Sequence, residues 1–135
     1  MRSQFFDRQH TDNPLNGVMV DNSAALRTLV HNLQGREPFF AELIGDNRCK
    51  LLLGIGPAEG CVQFSTVDGA PPYLMAMRND PEQEGVEQNC LDFLIGDTPT
   101  PVPRRYCLPM HKVVEIAANF LMQGERSTDV TWESI

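Results

Sequence analysis

The chain has 135 residues, 41% of them apolar and 21% charged, with a formal net charge of -7 and a pI near 4.8. That length can close one hydrophobic core without disulfides or metals, and the composition excludes fibrous and wholly disordered classes. The carboxylate excess argues against binding nucleic acid, whose affinity comes from Lys and Arg displacing counterions; a basic protein is the expected partner.

No apolar run approaches the roughly 20 residues needed to span a bilayer, and the N-terminus lacks the apolar centre of a secretory signal. No membrane partner is expected, and the cytoplasm is the expected location. The first twenty residues, with the short apolar pair Phe5 and Phe6, read as an arm or short edge strand. At Asp21-Asn22-Ser23, three consecutive capping residues precede Leu26, Leu29, Val30 and Leu33, spaced i, i+3, i+4 and i+7, and Gly35 follows. This predicts an amphipathic helix.

From Pro38 to Ile95 the pattern changes to short apolar segments separated by Gly, Pro, Asn and Asp. Residues 39–44, 49–55, 61–67, 73–77 and 90–95 are the predicted strands, joined by connections mostly too short for crossover helices, so an antiparallel meander is expected. In 61–67, Val62, Phe64 and Thr66 share one face and Gln63 and Ser65 the other, leaving one sheet face to solvent or a partner. In 90–95, Leu91, Phe93 and Ile95 form the core-facing set, opposite Asp92 and Leu94. Three prolines in Thr98–Pro103 remove amide donors and predict an extended connector across one end of the sheet. Pro109 suits a first helical position, Val113, Ile116, Ala117, Phe120 and Leu121 repeat at helical spacing, and Gly124 ends the run. Val130 and Trp132 then alternate with Thr131 in a short terminal strand. The expected fold is α+β: one domain over residues 1–135, with an antiparallel meander packed against two amphipathic helices.

Motifs that would carry chemistry are scarce. Gly54, Gly56 and Gly60 follow a strand, but the third glycine comes one residue late for a dinucleotide loop and the next segment is a strand, so tight hairpin turning is their expected use. Cys49, Cys61, Cys90 and Cys107 form no C-x-x-C pair and read as buried, reduced thiols. His10, His31 and His111 could serve as bases only if the fold brought a thiol to them. No cofactor, metal or catalytic residue is assigned, and the chain is not expected to be an enzyme. The distinctive charge feature is Asp80, Glu82, Glu84 and Glu87, four carboxylates in eight residues with no compensating base. It reads either as a solvated, self-repelling loop or as an interface element that steers a basic partner and accepts bonds from Arg.

Near the C-terminus, Phe120 and Gly124 close the second helix, and seven residues separate Gly124 from Trp132. With the glycine-punctuated run 51–67 upstream, this ending resembles the first-numbered immunity family of bacterial polymorphic toxin systems, over roughly residues 20 to 133. The acidic stretch 80–87 and the proline run near Pro101 depart from that pattern. The resemblance implies a protein that binds and inhibits a toxin encoded beside it, often of deaminase type. Physically, Gly124 would supply a left-handed helix end and Trp132 an apolar plate against the scaffold, so both read as structural. Two other readings stay open: a small-molecule-binding or hydrolytic domain using Cys61, Cys90 or His111, and an acidic secretion chaperone or adaptor. The oligomeric state is left open.

Overall fold

The computed structural model describes residues 1–78 and 89–135. The strands among these residues are β1 (Ser3–Asp7), β2 (Met19–Val20), β3 (Phe39–Gly45), β4 (Cys49–Ile55), β5 (Glu59–Thr66), β6 (Leu74–Ala76), β7 (Cys90–Ile95), β8 (Thr98–Pro103), β9 (Leu108–Pro109) and β10 (Trp132–Ser134). The helices are α1 (Ser23–Leu33) and α2 (Met110–Gln123). Sheet order is β10-β6-β5-β4-β3-β1-β2, antiparallel along this path. The fold is α+β, with a meander over β3 to β6 and a short C-terminal strand.

Local chemistry explains both helices. The Asn22 side chain accepts from the Ala25 amide at 2.8 Å, capping α1, whose buried stripe is Leu26, Val30 and Leu33. The α2 helix follows Pro109 and ends at Gly124, whose φ of 72° is the left-handed conformation that closes a helix without a Cβ penalty. Every second strand residue then faces these helices. Phe5, Phe39, Leu43, Leu51, Leu53 and Val62 form one core with Val30, Val113, Ile116 and Phe120.

Several expectations are corrected by long-range pairing. The first twenty residues hold two strands: β2 is the sheet edge, while β1 lies inside it between β3 and β2, with Phe5 buried. The segment Thr98–Pro103 is not a connector but strand β8, paired along its length with β7. The β7 strand does not extend the meander; it leaves by a parallel contact between Leu94 and Phe39 of β3. Of the residues expected to face the core from β7, Leu91 and Phe93 join a second cluster, but Ile95 is 41% exposed, and Leu94 packs on the main core instead. The second sheet face is therefore only partly open, because Phe93, Val102, Tyr106 and Cys107 cover Phe40, Cys61 and Met75. The thiols are not all buried: Cys61 and Cys107 are, Cys49 is half-buried and Cys90 is exposed at the start of β7.

The β4–β5 hairpin is the tightest junction. A Cβ on Gly60 would lie 2.1 Å from the Gly54 carbonyl oxygen and 2.6 Å from the Met110 sulfur, and one on Gly54 would lie 2.5 Å from the Cys61 sulfur. These glycines let the two strands, α2 and the second cluster close together; no helix opens here to receive a phosphate. Replacing Gly60 by Ala should therefore cost on the order of 1–3 kcal/mol through overpacking, read as a lower urea midpoint at unchanged slope. Gly35→Ala, with nothing within 4 Å of its Cβ, should shift stability by less than about 0.5 kcal/mol.

Candidate functional site

The alternation that points one set of strand residues at the helices points the other set away. In register across six strands, Phe6, Glu42, Leu52, Gln63, Met75 and Glu133 form a row on the second face. The β7–β8 hairpin covers one end of this face, with Phe93 against Phe40 at 5.4 Å between ring centroids. Beside the hairpin remains a groove of about 240 Å³, lined by Leu52, Met75, Ile95, Pro101, Tyr106 and Ile135 among others.

Ion pairs border this face. Glu42, only 8% exposed, receives Arg8 at 3.0 Å and Lys50 at 3.3 Å. Glu59 receives Arg78 at 2.9 Å and Arg104 at 2.6 Å, and Arg78 also donates to the Cys107 carbonyl. Glu133 accepts from the Tyr106 hydroxyl and lies 3.7 Å from Arg105. Burial and the bond to Glu133 both push the Tyr106 phenol above its ordinary pKa. At the far end of β1, Asp7 is buried, yet its carboxyl is held at about 2. Burial alone would raise it, but donors from Arg36, Asn13, His10 and Gln9 outweigh that cost. Both Asp7 oxygens are engaged, which suits a fixed joint between β1 and the end of α1 and leaves no oxygen free to act as a base.

The carboxylates Asp80, Glu82, Glu84 and Glu87 lie outside the described residues. The flanking residues are both tethered to the turn Arg104–Tyr106: the Arg78 amide donates to the Arg105 carbonyl, and the Arg104 amide donates to the Asn89 carbonyl. Phe120, Gly124 and Trp132 do come together. The Phe64 ring stands edge-on to both Phe120 at 6.2 Å and Trp132 at 6.4 Å. The Trp132 indole donates to the Ser127 carbonyl at 2.9 Å, and Asn47 donates to the Gly124 carbonyl at 2.7 Å. An open depression of about 780 Å³ lies over this joint, lined by Cys49, Arg126 and Thr128 among others.

The thiols and imidazoles do not assemble into a reactive set. His10 follows β1, His31 lies late in α1 and His111 opens α2, all three exposed. Burial pushes the Cys61 thiol far above its ordinary value, reinforced by nearby Cys107. Burial, then the Glu59 carboxylate, pushes Cys107 up to about 11 against the opposing pull of Arg104 and Arg78. Neither is a thiolate at neutral pH. Among the described residues no group of three or more His, Cys, Asp or Glu is placed to hold a metal, and no helix is long and apolar enough to cross a membrane.

The groove was not legible in sequence, because its walls come from residues up to 95 apart, from Phe40 to Ile135. One signal was present: the prolines of β8 alternate, as they can on a free sheet edge.

A mixed helix and sheet scaffold with an aromatic-locked C-terminus and one partly open face, without a reactive cluster among the described residues, fits a binding protein. Residues 14–134 match the family model described as immunity protein Imm1, and the chain belongs to that family. A search of curated proteins finds no match.

The burial of the thiols orders their reactivity. A chromogenic disulfide reagent added to the native protein should titrate Cys90 rapidly, Cys49 slowly, and Cys61 and Cys107 only on unfolding. Rapid reaction of all four thiols in the folded protein would contradict the burial described.

Proposed function

We propose that the chain binds a cognate bacterial toxin one to one and neutralises it by occluding its active site, acting as an inhibitor rather than a catalyst. The observation that carries this reading is the immunity-family match over residues 14–134. Charge supports a basic target, since the segment holding Asp80, Glu82, Glu84 and Glu87 supplies four of the seven net negative charges.

A toxin that attacks nucleic acid needs a cationic cleft to hold phosphates. The deaminase type that the family resemblance implies must also receive a base extruded into a narrow pocket. An acidic body seated across such a mouth competes with substrate for the same cations. The four carboxylates would then act chiefly on encounter, by steering, while burial elsewhere sets residence time. The cytoplasm is the compartment in which such a toxin would meet both its nucleic-acid target and this protein.

The test uses the toxin domain encoded beside this chain's gene. Its activity should fall to background at one equivalent of this protein. Reversing Asp80, Glu82, Glu84 and Glu87 to Lys together should lower the association rate about tenfold or more at low salt and flatten its salt dependence. An unchanged rate removes this segment from the interface, and toxin activity that persists under excess protein contradicts immunity.

A further inference from the structure

In an antiparallel strand the N–H and C=O of one residue point to the same side, and successive residues alternate. The Leu94 amide donates to the Pro38 carbonyl beside β3, so the even-numbered residues of β7 face away from β8. Leu91, Phe93 and Ile95 therefore bond across to Val102, Thr100 and Thr98. This turns Pro99, Pro101 and Pro103 to the free edge of β8. There they offer carbonyls and no N–H at all.

The Pro103 carbonyl has the Cys107 thiol 3.7 Å away, whereas no hydrogen bond to Pro99 or Pro101 on this edge is found among the described residues. Such an edge suits an incoming β-strand poorly, because a strand brings both carbonyls and amides. It suits a donor-only group. The apolar groove runs beside it, with Ile95 at 41% and Ile135 at 59% exposure. Asp97, in the hairpin turn two residues from Ile95, is exposed, and residues 89–103 contain no Lys or Arg. The cations bordering this face have carboxylate partners, Arg105 with Glu133 and Lys50 with Glu42.

The geometry points to this groove as the docking cleft for a Lys- or Arg-bearing segment of the toxin. The aliphatic stem lies along Leu52, Met75, Ile95 and Ile135, and the cationic head reaches the Pro99 and Pro101 carbonyls, with the Asp97 carboxylate in the adjoining hairpin turn. Long cationic side chains divide in this way, stem against apolar surface and head toward acceptors. The inference rests on the immunity reading and adds the surface and the chemistry of the group it receives.

The purified toxin domain encoded beside the gene is the probe, with Kd measured for variants whose thermal midpoints match wild type. The pair Ile95→Lys with Ile135→Lys should raise Kd at least about tenfold by setting like charge at the cleft. The pair Ile95→Glu with Ile135→Glu, and the remote Met122→Lys on α2, should change it by no more than about threefold. Asp97→Lys, at an exposed turn position outside the groove's apolar walls, should raise Kd in the same direction.

Wild-type affinity in the Ile95→Lys with Ile135→Lys pair and in Asp97→Lys overturns the cleft while wild-type neutralisation still stands. Equal losses in the Lys and Glu pairs overturn cation recognition in favour of purely apolar contact. A dimer of this protein that Ile135→Lys dissociates places a second copy there and overturns the proposal. Failure of the wild-type protein to neutralise the toxin at all sinks the immunity reading itself, and the cleft with it.

Discussion

A broad sheet has two faces, and the two α-helices among the described residues both pack on the same side. Everything else follows from how the other face is managed. Alternation along β1, β3, β4 and β5 sends Phe5, Phe39, Leu43, Leu53 and Val62 into the helix-packed core, and that choice commits Phe40, Glu42, Leu52 and Gln63 to the opposite side. Part of that side is closed by folding the β7–β8 hairpin back over it, where Phe93 covers Phe40. The close approach depends on Gly54 having no Cβ, since Phe93 carbon atoms lie within 3.0 Å of where one would sit. The remainder is held by paired charges and left open.

The excess charge is concentrated in one part of the sequence, whose described end, residues 89–103, forms the β7–β8 hairpin beside the open part. Residues 79–103 contain six carboxylates and no Lys or Arg, while the other 110 residues carry twelve carboxylates against eleven bases. The molecule is thus nearly neutral outside one stretch of 25 residues. Such clustering along the chain, rather than a diffuse excess, is what the proposed steering of a cationic partner draws on.

Legibility in the sequence tracked how local each cause was. Helices α1 and α2 could be read because their periodicity and their ends, Asn22 and Gly124, lie within the same few residues that form them. Strand positions could be read from turn residues. Sheet order could not: β1 sits between β3 and β2, and β7 joins β3 in parallel, through contacts among residues distant in sequence. The proline run suggests a connector because each proline removes a donor, but pairing with β7 puts those losses on the free edge of β8, where they cost the ladder nothing. An apolar segment suggests a buried Cys90, yet the residue stands at the exposed start of β7. The groove and the ion pairs of Glu42 and Glu59 join residues whose proximity only the fold creates. The immunity family, by contrast, was visible from Phe120, Gly124 and Trp132, which the structure brings together around Phe64.

The proposed inhibition is assigned to one face, with the helices serving as its backing. Amide hydrogen exchange of the protein, free and saturated with the toxin domain, tests that division most directly. Slowing should concentrate at the amides of Gln63, Met75, Thr100, Val102 and Tyr106, with α1 and α2 unchanged beyond global stabilisation. Protection confined to the helices or to β2, with the β8 side of the sheet exchanging as in the free protein, would contradict it.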